Sequence, residues 1–169
     1  WDAEFARLEN LGGQFKYVQL PPETRALPGW YWSTANPISW AEWVGPCMRA
    51  MTKATIFTQT NPEAAVKLHW DLYPESKPTG IPEDRALKEA LHVLGSRLNA
   101  YYPADKDGNP DPNGLYGYIY PERLWAYVRW LGLESRIRSI DELYTNEFIQ
   151  VANDFSREAI RCQAAEFRV

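Results

Sequence analysis

Apolar residues recur at helical spacing along most of the chain. At the start, Phe5, Leu8 and Leu11 lie three residues apart and are followed by Gly12 and Gly13. A run of this kind that ends in glycine is typical of a short helix whose last turn is closed by a residue with a positive φ. The pattern therefore predicts that the chain opens with a helix.

Two Asn-Pro pairs mark the starts of further helices. Asn36-Pro37 and Asn61-Pro62 each supply an N-cap and a proline at the first helical position, where the missing N–H costs no hydrogen bond. The first of these helices contains Pro46, which predicts a kink. The second is expected to end at Tyr73-Pro74.

The later part of the chain continues the helical pattern. Pro82 opens a helix with an apolar stripe, and Pro121 opens another that is expected to run to Trp130. Ser139-Ile-Asp-Glu142 has the form of a capping box. From Phe148 to Cys162, apolar residues recur every three or four positions, which predicts one long terminal helix.

Two segments have strand patterns instead. Residues 15–20 alternate between apolar and polar side chains and are followed by Pro21-Pro22, and Trp30–Thr34 is a second, aromatic strand. Two strands do not make an independent sheet of useful size. We therefore expect both to belong to a sheet whose other strands lie outside this sequence. Because the chain begins at Trp1, with neither an initiator Met nor a signal peptide, it is expected to be a fragment.

Composition limits the function classes more than it selects one. The 169 residues suit one soluble domain, and the chain has no apolar run long enough to span a membrane. Its net charge is −4 and no basic stripe stands out, which argues against nucleic acid as a partner.

The cysteines and histidines indicate neither a metal site nor a catalytic one. Cys47, Cys162, His69 and His92 are isolated from one another, and no nucleophile motif or phosphate-binding loop is present. The cysteines can pair in an oxidising compartment, but two buried free thiols are favoured. Both histidines are expected to be structural. The sequence therefore predicts no metal, no cofactor and no enzymatic activity.

The segment from Asp105 to Gly114 has alternating side-chain oxygens, as calcium loops do. It lacks the terminal glutamate and the register that make that motif specific. A cluster of surface turns is the favoured interpretation, and a calcium loop is the alternative.

Consecutive aromatic residues are the feature that most suggests a binding function. Trp30, Tyr31 and Trp32 follow one another on a predicted strand, so their rings point to both of its faces. Trp1-Asp2 is a similar aromatic and acidic pair. Such residues favour a binding cleft, since stiff rings bury area while polar groups fix orientation. A strand buried on both faces accounts for the aromatics equally well.

Three stretches resemble one protein family. The clearest is Asn61 to Pro74, with the sequence NPEAAVKLHWDLYP, and Ile140 to Ile149 is similar to the family's closing segment. Trp1 to Gly12 resembles the stretch where such proteins leave their second lobe. Because these stretches follow one another along the chain as they do in the family, the chain resembles the C-terminal portion of the nitrate, sulfonate and taurine (SsuA/THI5-like) family of ABC transporter substrate-binding proteins.

The resemblance implies a helix-rich α/β fold that is periplasmic binding protein type II-like but only partial, comprising the end of lobe two and the C-terminal part of lobe one. Residues 1–28 would end the second lobe, residues 29–36 would be a hinge or crossover strand, and residues 37–169 would complete the first lobe. The missing N-terminal half of the same protein would then be a partner.

The function that the resemblance implies is capture of a small organic solute in an interlobe cleft, with delivery to ABC permease subunits. The chain would then be periplasmic or extracytoplasmic. Aromatic walls favour a pyrimidine, an aryl carboxylate or a sulfonate. The positions implied at the cleft are Trp30, Tyr31, Trp32, Ser33, Trp1 and Asp2.

Two alternatives remain. A helical interaction module without a small-molecule site is compatible with the many predicted helices. A pyrimidine synthase of the same superfamily would need a cysteine-rich iron motif, which two distant cysteines do not supply.

Overall fold

The computed structural model describes residues 2–18 and 37–168, without the side chains of residues 37–41 and of Asn99. Over these ranges the chain is mostly helical. The α-helices of the described residues are α1 (Asp2–Asn10), α2 (Pro37–Thr60), α3 (Pro62–Leu72), α4 (Glu83–Leu98), α5 (Pro121–Trp130), α6 (Ile149–Asn153) and α7 (Arg157–Glu166). Short 3₁₀ turns lie at Pro74–Ser76, Asn99–Tyr101, Glu134–Arg136 and Ile140–Glu142.

The predicted α/β fold is wrong. The described part of the chain contains no strand, only an isolated bridge between Ala104 and Pro110. A lobe like that of the type II periplasmic binding proteins is built on a sheet, so neither the end of lobe two nor the C-terminal part of lobe one is present in that form. The second predicted strand, Trp30–Thr34, lies outside the described residues.

The first predicted strand fails because its aromatic side chains pack on a helix. Residues 15–18 form no strand. The Phe15 and Tyr17 rings instead pack edge to face with the Phe5 ring of α1, at centroid distances of 5.5 and 6.1 Å. The alternation of apolar and polar residues in this segment therefore arises because two aromatic rings pack on the preceding helix.

Contacts group the described residues into two compact units. Unit 1 comprises residues 2–17, 53–99 and 155–168, and unit 2 comprises residue 18 with residues 37–52 and 100–154. The predicted division at residues 1–28, 29–36 and 37–169 stays a prediction, and residues 29–36 lie outside the described part of the chain.

Capping residues, proline and glycine define the helix ends of unit 1 as the sequence predicts. Asn61 Oδ1 accepts from the Ala64 N–H at 3.1 Å, and Pro62 begins α3 as predicted. The Asn61 side-chain amide also donates to the Ala164 carbonyl at 2.8 Å, so one residue caps the start of α3 and the last turn of α7. Gly12, with a φ of 93°, follows the end of α1.

The core of unit 1 joins α3 to α4. Trp70 and Val66 of α3 are buried against Ala86 of α4. Partly buried residues of the predicted α4 stripe and of the loop before it surround them, namely Ile81, Leu87, Ala90, Leu91 and Leu94. The apolar periodicity of α4 is therefore confirmed.

Polar contacts hold α1 antiparallel to α4. At the end of α1, the Asn10 amide donates to the Glu89 carbonyl at 3.0 Å. The two nitrogens of the His92 ring lie 3.2 Å from Glu9 Oε2 and 2.8 Å from Asn10 Oδ1. His92 thus has the structural role predicted for it.

In unit 2, two asparagines bind an irregular segment as a neighbouring strand would. Asn153 accepts from the Tyr116 N–H at 3.0 Å and donates to the Tyr116 carbonyl at 3.1 Å. Asn146 makes the same pair of hydrogen bonds with Ile119, at 3.0 and 2.8 Å. These side chains satisfy backbone groups that no sheet or helix pairs.

The core of unit 2 lies where α2 meets α6. Val44 and Met48 of α2 are buried with Ile149 and Ala152 of α6. A Cβ added to Gly45 would lie 2.8 Å from Val151 Cγ1, so the missing side chain permits this close approach. The helix continues through Pro46.

The predicted single terminal helix is wrong because polar side chains interrupt it. The chain leaves helical geometry between Asn153 and Arg157. There the Asn153 amide bonds the Tyr116 carbonyl. Ser156 accepts from the Ala159 N–H at 3.1 Å and starts a new helix. Apolar spacing alone does not reveal such a cap.

The loop after α4 is a cluster of turns, as favoured from the sequence. Asp105 Oδ1 accepts from the N–H groups of Asp107 and Asn109, both at 2.9 Å, and Oδ2 accepts from the Asn109 amide at 3.2 Å. The Gly114 N–H donates to the Asp111 carbonyl at 3.0 Å. The Asp105 oxygens are thus directed at donors of the loop itself.

Hydrogen bonds from the Asn109 backbone and side chain lower the pKa of Asp105 below its ordinary value of 3.8. Because the folded pKa is the lower one, these bonds stabilise the turn above the unfolded pKa and are lost as the pH falls through the folded pKa. A carboxyl-detected NMR titration of Asp105 should therefore give a midpoint below 3.8, and the Asn109 amide shift should follow it. A midpoint at 3.8 or above would contradict this account. Asp105→Asn should abolish the pH-dependent change of the Asn109 amide shift.

Both cysteines are exposed, so the prediction that they are buried is wrong, and the prediction that their thiols are free stays a prediction. Within residues 2–18 and 37–168, no helix is both long and apolar enough to cross a membrane.

Candidate functional site

Most of the predicted ligand-binding residues cannot be placed. The positions that lie outside the described residues are Trp1, Trp30, Tyr31, Trp32 and Ser33. Asp2 is described, and it lies in the first turn of α1.

Asp2 binds an arginine of α4. Its Oδ2 accepts from Arg97 Nη1 at 3.1 Å. Burial raises the pKa of the Asp2 carboxyl, but its own backbone N–H and the Arg97 guanidinium lower it, and the net pKa lies below the ordinary value. Asp2 therefore remains ionised and holds Arg97 in place.

Arg97 lies beside a cavity that sequence reasoning missed. The cavity has a volume of about 680 Å³ and belongs to unit 1. Residues of α4 line it along one side, and α1 and α3 supply others, so we name it the α1–α3–α4 cavity. More than half of the residues that line it are apolar, among them Ala3, Leu11, Ala65, Val66, Val93 and Leu94.

Three charged side chains lie in the lining of this cavity. Arg7 and Arg97 line it, and each is paired with a carboxylate, Glu4 at 2.7 Å and Asp2 at 3.1 Å. Glu89 lines it two helical turns before Arg97 on α4. Eight residues of helix separate these two positions, so the cavity extends about 12 Å along α4.

Small side chains account for the space. Ala3 of α1, Ala65 of α3 and Ala90 of α4 all line the cavity. Each presents a single methyl group, so the three helices leave between them a volume that their own side chains do not fill.

A second apolar cavity of about 560 Å³ adjoins the first within unit 1. Thr58, Ala65 and His69 line both. This second cavity is open to solvent, and its lining includes Phe57 of α2 and Phe167 after α7, whose rings meet edge to face at 5.5 Å.

Comparisons with protein-family models, with curated proteins and with solved structures found no match for this chain. The described residues also contain no group of three or more side chains that would hold a metal ion. The geometry of unit 1 is therefore the basis for a functional hypothesis.

Sequence reasoning missed the cavity for a physical reason. The apolar periodicity of a helix is the same whether an alanine on its apolar face packs closely against a neighbouring helix or leaves a gap. His69 was the one available signal, since it interrupts the apolar face of α3 with a polar ring, yet an isolated histidine more often has a structural role.

Proposed function

We propose that this chain is a binding protein for a small organic solute with an apolar body, held in the α1–α3–α4 cavity. The observation that carries the proposal is the cavity itself. Its volume of about 680 Å³ is within the roughly 300–1,000 Å³ typical of small-molecule sites. An apolar lining with few polar groups is the usual composition of such sites.

The polar groups define how a solute would be oriented. An apolar body gains free energy by leaving water for the side chains of Val66, Val93 and Leu94. A polar end would lie toward Arg7 and Arg97, whose guanidinium groups line the cavity and can only donate hydrogen bonds.

A wider role rests on the resemblance in sequence. The stretch that most resembles the solute-binding family, Asn61 to Pro74, includes α3, which supplies part of the cavity lining. We therefore extend the proposal to the solute-binding component of an ABC importer, periplasmic or otherwise extracytoplasmic, with permease subunits as partners. No catalytic step belongs to it. The interlobe cleft is left out, because it requires the sheet that the described residues do not form.

Filling the cavity should prevent binding. Val93→Trp introduces an indole on the α4 face that lines the cavity. Titration with N-phenyl-1-naphthylamine, an uncharged fluorophore that brightens on leaving water, should give saturable binding to the natural chain. In the variant the affinity should fall at least about tenfold, because apolar area equal to roughly two methylene groups is no longer available to the ligand.

The matched control is Lys88→Trp. Lys88 is exposed on α4 and does not line the cavity. It should bind the fluorophore as the natural chain does, and circular dichroism should show both variants folded. Equal binding by Val93→Trp and the natural chain would place the site elsewhere. Absence of saturable binding to the natural chain would favour the helical interaction module.

A further inference from the structure

His69 stands at the boundary between the two cavities of unit 1. It lines both of them together with Thr58 and Ala65. Its ring contacts the Tyr73 ring at a centroid distance of 5.2 Å. Because Thr58 and Ala65 are small, the imidazole is the largest of the three side chains that the cavities share.

The second cavity continues the apolar character of the first. Among the described residues that line the second cavity, Lys53 is the charged one. Most of the remainder is aliphatic or aromatic, namely Ala54, Phe57, Leu68, Leu72, Ile160 and Phe167. An apolar ligand chain that extended past His69 would therefore contact the apolar lining of the second cavity.

A polar ring at this place opposes the passage of such a chain. Apolar atoms gain by burial against apolar atoms, whereas the exposed His69 imidazole would lose water to a passing apolar chain without gaining a hydrogen-bond partner. The geometry thus favours a ligand that ends before His69.

We propose that His69 sets the length of ligand that the α1–α3–α4 cavity accepts, and that this ligand carries an elongated apolar chain. The proposal rests on the proposed function and adds a residue that determines specificity. The extent of the cavity, about 12 Å along α4, suits a chain better than a compact solute.

A series of saturated monocarboxylates measures the length limit. Hexanoate, octanoate, decanoate, dodecanoate and hexadecanoate would displace the fluorophore from the natural chain below their micelle-forming concentrations. Affinity should rise up to about fourfold with each buried methylene group and then become constant once the chain reaches His69. In His69→Ala the rise should continue to longer chains. Hexadecanoate should then bind at least about tenfold tighter than it does to the natural chain, with hexanoate unchanged.

Two variants test whether the longer limit in His69→Ala comes from loss of the His69 side chain itself or from a general loosening of α3. Tyr73→Ala removes the ring contact with His69 but lines neither cavity, so it should keep the natural length limit. His69→Gln retains a polar side chain of similar size and should also keep it. If Tyr73→Ala extended the limit as His69→Ala does, loosening would be the cause and the proposal would fail.

The outcomes distinguish this proposal from the proposed function. Identical length profiles for the natural chain and His69→Ala would overturn the role of His69 while leaving solute binding in place. Failure of the natural chain to bind either the fluorophore or any carboxylate would overturn both.

Discussion

Trp70→Ala is expected to lower the free energy of unfolding of unit 1 by about 3–5 kcal/mol. Trp70 is only 6% exposed and lies in the core with Val66 and Ala86. Alanine would remove the indole and leave a hole that α3 and α4 cannot close without moving. The ring also lies under Lys77 Nζ, at 5.3 Å from the centroid, and that contact would be lost as well.

Chemical denaturation followed by circular dichroism measures this effect. Leu72→Ala is the matched control on the same helix, because Leu72 is 73% exposed and its truncation should change stability by no more than about 0.5 kcal/mol. Equal losses for the two variants would show that Trp70 is not central to the core. Since Trp70 also lines the α1–α3–α4 cavity, fluorophore binding should fall with the same substitution.

Asn153→Ala is expected to destabilise unit 2 by about 2–3 kcal/mol. The Asn153 amide satisfies both the N–H and the carbonyl of Tyr116, a residue that is 4% exposed. It also donates to the Ile149 carbonyl at 2.9 Å. Alanine would leave these backbone groups without their partner in a place that water reaches poorly, so the desolvation cost would no longer be offset.

Amide hydrogen exchange at Tyr116 measures the local consequence. In Asn153→Ala the exchange rate should rise at least about tenfold, because the N–H loses its acceptor. Asn113→Ala is the control, since Asn113 is an exposed loop residue and its truncation should leave the Tyr116 rate unchanged. An unchanged Tyr116 rate in Asn153→Ala would contradict the paired hydrogen bonds.

The helix ends that were predicted correctly depend on local chemistry. Asn61 and Pro62 start α3, Pro121 starts α5, and Gly12 follows α1, each through contacts among residues close in the chain. Caps and proline positions can be recognised from a few neighbouring residues, which is why the sequence alone located them.

The failures depend on contacts between distant residues. Phe15 and Tyr17 alternate like a strand but pack on Phe5. Asn153 ends α6 while it bonds Tyr116, thirty-seven residues before it. The sequence carries the polar side chains that make these contacts but not the identity of their partners.

The candidate site could not be predicted from the sequence. Asp2, which the resemblance implies at a ligand cleft, bonds Arg97 but does not line the cavity, and the alanines that line the cavity lie on three helices. A gap between helices depends on how closely they approach, and no single residue type marks it.

The most direct test of solute binding is to locate the bound molecule. Amide chemical shifts of the ¹⁵N-labelled chain would be recorded with and without saturating N-phenyl-1-naphthylamine. Our account predicts the largest changes at Ala65, Ala90 and Val93, which line the cavity, and little change at Met48 and Ala152 in the core of unit 2. Shift changes confined to unit 2, or spread evenly over the chain, would contradict a solute site between α1, α3 and α4.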